Sequence, residues 1–159
     1  MLSGTPRPVP PAARLPATVV FYDPQVDVAV LYVPGLNLSP LRFTGQANPG
    51  DNAVVAGYPL DATQLHAVPA RIGGIQNAQG PNIYQTSTVT RQIYEIRAVV
   101  ESGNSGGPLL ASDGSVYGVV FAAAVGVSNT GFALTAAQVH ADAQAGEHST
   151  TAVSTMGCD

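Results

Sequence analysis

The sequence predicts an all-β domain with one short helix near its C-terminal end. Three observations carry this. Short runs of β-branched and aromatic residues recur along the chain, such as ATVVFY at 17–22 and DVAVLYV at 27–33. Turn-forming residues separate them, with 17 glycines and 13 prolines among 159 residues. Only residues 136–145 (AAQVHADAQA) have the alanine-rich composition of a helix, with Thr135 placed to cap it.

The elements follow in order. Residues 1–16 hold five prolines and no long apolar run, so they form an extended lead rather than a signal peptide. Strands at 17–22 and 27–33 end at Asp23-Pro24 and Pro34-Gly35, and a third short run at 41–43 completes a meander. After the turn at 49–52, residues 53–57 (AVVAG) read as a buried strand. Residues 67–76 read as a broken strand weakened at Pro69, and 77–82 as a polar loop leading to Ile83-Tyr84. A strand at 93–100 follows. Residues 109–111 and 115–124 form a hairpin around Asp113-Gly114, and 131–135 is the last strand. Residues 146–159 are a polar tail.

Composition excludes several function classes. Six Lys and Arg residues and a net charge of −4 leave no cationic surface for nucleic acid. No window of about 18 apolar residues exists, so no transmembrane helix is expected. The single cysteine, Cys158, closes no internal disulfide, and no His/Cys spacing suggests zinc. It reads either as an inert thiol or as half of a bridge. No metal and no organic cofactor are implied.

Chemistry concentrates in Gly103-Asn104-Ser105-Gly106-Gly107-Pro108. Glycines let a chain bend tightly around a hydroxyl and aim N–H groups at one point. That combination offers a nucleophile and an oxyanion cradle. The proline and the following hairpin leave no room for a helix after Ser105, which argues against an α/β-hydrolase elbow.

This loop resembles the nucleophile loop of the chymotrypsin-like, trypsin-fold serine proteases, with Asn104 where those enzymes usually carry Asp. Asp27-Val28-Ala29-Val30-Leu31 resembles the strand of the triad aspartate, and Val116 to Phe121 the strand lining the substrate cleft. Together with Gly57-Tyr58-Pro59, Pro69-Ala70-Arg71-Ile72 and Gly131-Phe132-Ala133-Leu134-Thr135, the pattern is similar to the actinobacterial membrane-anchored periplasmic acid-resistance serine proteases. The resemblance runs from about Ala17 to Val139. It implies a trypsin-like double β-barrel whose second barrel is complete (46–139) and whose first is partial (17–45), with the lead at 1–16 and the helix end and tail at 140–159. It implies peptide-bond hydrolysis of a peptide or protein substrate through an acyl-enzyme on Ser105, in an extracytoplasmic compartment. Gly103 and Ser105 would supply the oxyanion N–H groups, and Asp27 would orient the base. Phe121, Ala122 and Ala123 would pair with an extended substrate, and Val99 would lie near the floor of a neutral specificity pocket.

The family's order is His, Asp, Ser. Only 26 residues precede Asp27, and none is histidine. His66, His140 and His148 all follow it, and none matches the triad position. The chain is therefore expected to have little activity by itself. Three accounts stand: the C-terminal part of a serine protease, lacking an N-terminal segment that supplies the histidine and a cysteine partner for Cys158; a non-catalytic, protease-derived peptide-binding module; or a chain completed by a partner polypeptide.

Overall fold

Strands and a closing barrel dominate the computed structural model, which describes residues 15–157. The expectations for most of the lead and for Cys158 lie outside the described residues. Strands β1 (Thr18–Asp23) and β2 (Val28–Tyr32) form an antiparallel hairpin. The barrel follows: β3 (Asn52–Gly57), β4 (His66–Pro81), β5 (Thr88–Arg97), β6 (Pro108–Ala111), β7 (Val116–Ala123) and β8 (Thr130–Thr135). It closes in the order β3-β4-β5-β8-β7-β6. Helix α1 (Ala136–Gly146) leaves β8 directly. One complete barrel and one hairpin of a second sheet are the architecture expected of the resemblance.

Alternation builds the barrel interior. Along β7, Val116, Gly118 and Val120 face inward while their neighbours are half-buried. Val55, Ile72, Ile96, Leu109, Val120 and Ala133 pack with Tyr94 into one core. The Tyr94 hydroxyl is not stranded there, because the Ala47 N–H donates to it at 2.9 Å. Thr135 caps α1 as expected, accepting from the Gln138 N–H.

Three expectations are corrected. Residues 41–43 form no strand: Phe43 makes a single parallel bridge to Val116, because Arg42 and Thr44 spend their backbone groups on that one residue. The expected break and polar loop at 67–82 are, up to Pro81, one continuous strand. Pro69 is tolerated because β3 pairs with β4 over 66–71, while β5 pairs only from Arg71 onward. Pro69 therefore has a strand on one side only, where a missing N–H costs no ladder bond. Polar residues 77–81 pair with 88–92 in a ribbon that projects from the barrel, so their exposure did not signal a loop. Likewise β5 runs 88–97 rather than 93–100, and Ile83-Tyr84 lie in the ribbon's tip.

The tail is tied down. Val153 donates to the Val19 carbonyl at 2.9 Å, and the Tyr84 hydroxyl donates to the Thr155 carbonyl at 2.6 Å. The far end of α1 sits on the hairpin: a Cβ added at Gly146 would lie 2.6 Å from Val30.

Candidate active site

The Ser105 loop is bent at two glycines, Gly103 and Gly107, that nothing larger can replace. Gly103 has φ +97, and a Cβ there would meet the Tyr58 carbonyl at 2.2 Å. A Cβ on Gly107 would meet the Ala56 carbonyl at the same distance. The loop therefore lies flat against the end of β3 and the segment after it. Leu60 N–H donates to Ser102 O at 2.7 Å and locks that contact.

The loop's N–H groups divide into two sets. Asn104 donates to Glu101 O (3.0 Å), Gly106 to Val120 O (2.8 Å) and Gly107 to Asn104 O (3.0 Å). The N–H groups of Gly103 and Ser105 donate to nothing among the described residues. Those two donors are available to an acceptor from outside the chain. Ser105 is exposed, and its Oγ donates to the Phe121 carbonyl at 3.3 Å.

Asn104 is wholly buried, and its Nδ2 and Oδ1 have no partner among the described residues. A neutral amide so placed costs about 1–3 kcal/mol, whereas a carboxylate would be an unpaired buried charge. That difference is a physical reason for asparagine at this position in this chain.

Beside Ser105 lies a cleft of about 180 Å3 lined by Val100, Glu101, Ser102, Phe121, Ala122 and Ala123. The three expected substrate-pairing residues are there. Phe121 to Ala123 lie beyond the reach of β6, which pairs β7 only up to Val119. That edge of β7 is consequently open. Val99 does not line the cleft; it is 49% exposed, and Val100 takes its place. Residue counting alone had no way to choose between adjacent valines. Glu101 and Ser102 were also missed, although they stand immediately before the glycine-rich motif. Glu101 is the cleft's one charged wall residue.

Asp27 is exposed and left-handed, with φ +68, at the last position of the β1–β2 turn rather than inside the expected strand. Its N–H donates to Asp23 O at 2.9 Å. Val26 and Val28 on either side pack on the small cluster of Ile93, Leu134 and Val139, as does Phe121. No hydrogen bond joins Asp27 to the Ser105 loop among the described residues. A triad needs none there, because the imidazole stands between acid and nucleophile.

None of the three histidines lines the Ser105 cleft. His66 is exposed and opposite Gly57, and His148 is exposed beyond α1. His140 stacks edge-on against Phe43 at 5.7 Å, in the wall of a separate cavity of about 370 Å3 that also touches Tyr94 and Thr135.

A closed antiparallel barrel with an exposed serine on a glycine-bent loop, preceded by a hairpin of a second sheet, defines a trypsin-like β-barrel fold. The profile of the trypsin-like peptidase domain matches residues 7–119. The chain belongs to that family. It is 51% identical over 125 residues to the serine protease Rv3671c of Mycobacterium tuberculosis, covering 77% of this chain and 31% of that protein. It is 32% identical over 126 residues to a probable periplasmic DegP-like serine endoprotease of Chlamydia pneumoniae, covering 76% of this chain and 25% of the relative. The crystal structure of the Rv3671c protease in its active form superposes with a TM-score of 0.86 at 46% identity, covering 91% of this chain and 63% of that one. The chain thus spans about a third of the length of the curated relatives it matches.

Proposed function

We propose that this chain carries the nucleophile, oxyanion cradle and acid of a serine endopeptidase that acts outside the cytoplasm. The observation that carries the reading is that, in the glycine-bent loop that exposes the Ser105 hydroxyl, the Gly103 and Ser105 N–H groups have no acceptor among the described residues. Ser105 attacks a peptide carbonyl, its N–H and that of Gly103 hold the oxyanion, and Asp27 orients the imidazole that takes the hydroxyl proton. The substrate lies extended along Phe121, Ala122 and Ala123, with its side chain in the cleft by Val100. The imidazole comes from polypeptide outside the described residues, docked on the hairpin β1–β2. Leu31 on the hairpin and Leu36, Leu38 and Leu41 in the segment after it are between 52% and 74% exposed, apolar surface suited to that contact. The relatives' printed names support the periplasmic side of the reading. No helix among the described residues is long and apolar enough to cross a membrane.

The test is covalent labelling by a fluorophosphonate. Wild type and Ser105→Ala are compared alone and with the part of the Rv3671c protease that this chain does not cover. The expected result is slow labelling of the chain alone, fast labelling of the complemented protein, and none of Ser105→Ala. Peptide binding by a complemented protein that never labels would favour the non-catalytic binding module instead.

A further inference from the structure

The β4–β5 ribbon projects out of the barrel, yet its sides and tip are tied to the β1–β2 turn. Arg91, on the β5 side of that ribbon, donates from Nε to the Gln25 carbonyl at 2.8 Å and from Nη2 to the Pro81 carbonyl at 3.1 Å. Ser87 Oγ donates to Gln25 Oε1 at 3.3 Å, and Ile83 N–H to Pro24 O at 3.3 Å. From the other side, Asp23 Oδ1 accepts the N–H groups of Gln25 (2.7 Å) and Val26 (3.3 Å). Residues 23–27 are thus held by the ribbon and by their own Asp23 carboxylate, and they end in the left-handed Asp27. A non-glycine residue in that conformation persists where its surroundings over-determine it.

We propose that Arg91 is a positioning residue for Asp27. Its guanidinium spans the ribbon and the turn, and the bond to Gln25 O fixes the backbone two residues before the carboxylate. A planar fork suits two carbonyls held apart in this way; a lysine ammonium keeps the charge but reaches one of them. The proposal rests on the reading that Asp27 is the triad acid.

Two measurements test it on the full chain. In amide hydrogen exchange, Arg91→Ala should speed exchange of the Asp27 N–H about tenfold or more, the effect of losing a charge-assisted hydrogen bond. The Val120 N–H, deep in the barrel, should stay unchanged, and Arg91→Lys should fall between. In the complemented enzyme, fluorophosphonate labelling of Ser105 should slow about tenfold to a hundredfold in Arg91→Ala, as for a misplaced orienting group. Ser87→Ala, which leaves the guanidinium in place, should move both readouts in the same direction by less, and it serves if Arg91→Ala does not fold. Unchanged Asp27 exchange, equal loss of protection at Asp27 and Val120, or unchanged labelling would each overturn the proposal. A wild-type complex that never labels overturns the enzyme reading instead, while the exchange data still judge the clamp.

Discussion

Two glycines in one loop should answer very differently to the same methyl group. Gly103 and Gly106 both have positive φ, +97 and +82. An alanine at either position bears about 1–2 kcal/mol of backbone strain. Around Gly106 a Cβ meets nothing within 4 Å, so the strain is the whole cost. Around Gly103 the Cβ lands 2.2 Å from Tyr58 O, 2.9 Å from Leu60 N and 3.0 Å from Pro59 C, all backbone atoms. The loop must move off that segment and lose the Leu60 N–H to Ser102 O bond, which adds about 1–2 kcal/mol. With a urea slope near 2 kcal/mol/M, Gly106→Ala should lower the unfolding midpoint by about 0.5–1 M and Gly103→Ala by about 1–2 M. Labelling of Ser105 in the complemented enzyme should survive Gly106→Ala better than Gly103→Ala, because only the latter turns away a proposed oxyanion N–H. Equal midpoints for the two variants would refute the claim that backbone contact with 58–60 shapes the cradle.

Thr135 is buried, accepts from Gln138 N–H at 3.2 Å and donates to Gln92 Oε1 at 2.9 Å. Thr135→Val keeps the shape, removes the cap and strands the glutamine, and should cost about 2–3 kcal/mol by urea unfolding. Burial, and after it the Asp23 carboxylate, raises the Asp142 carboxyl above its ordinary 3.8. The folded state then keeps a proton the unfolded chain has already lost, so this group's contribution weakens as pH rises from 3.8 toward the raised value. Asp142→Asn should therefore be the more stable form at pH 7, by under about 1 kcal/mol after solvent screening, and thermal scans should converge with wild type below pH 3.8.

The chemistry was more legible than the path of the chain. Ser105 and its glycines were readable because a bend against β3 admits no side chain at 103 or 107, which leaves a local signature in the sequence. Phe121 to Ala123 came from the resemblance of the strand that holds them, because an unpaired stretch of strand edge leaves no mark in its own residues. Asp27 reads in sequence as the start of a strand but lies in the turn before it, since a left-handed aspartate and a strand-starting one look alike in sequence. The ribbon was illegible: its polar residues pair with each other across a hairpin rather than with a core, so alternation gave no cue. Arg91 carries no motif at all, because its work is done on two backbone carbonyls whose positions depend on tertiary structure.

These differences bear on how the site is built. The proposed cradle is held by the barrel: the Ser105 loop bonds to Val120, Leu60 N–H donates to Ser102 O, and the loop's close contacts are to 56–60. The proposed acid, Asp27, belongs to the hairpin's turn, whose bonds run to the ribbon through Pro24 and Gln25 and to Asp23. The two groups of hydrogen bonds share no residue, so damage to one need not disturb the other. A Gly103→Ala, Arg91→Ala double variant should accordingly show stability losses that add to within about 0.5 kcal/mol. Its labelling rate, by contrast, should fall less than the product of the single effects, because an acid that orients the base adds little once the oxyanion is unsupported. Additive stability together with sub-additive rate is a signature that a purely structural role for Arg91 would not produce.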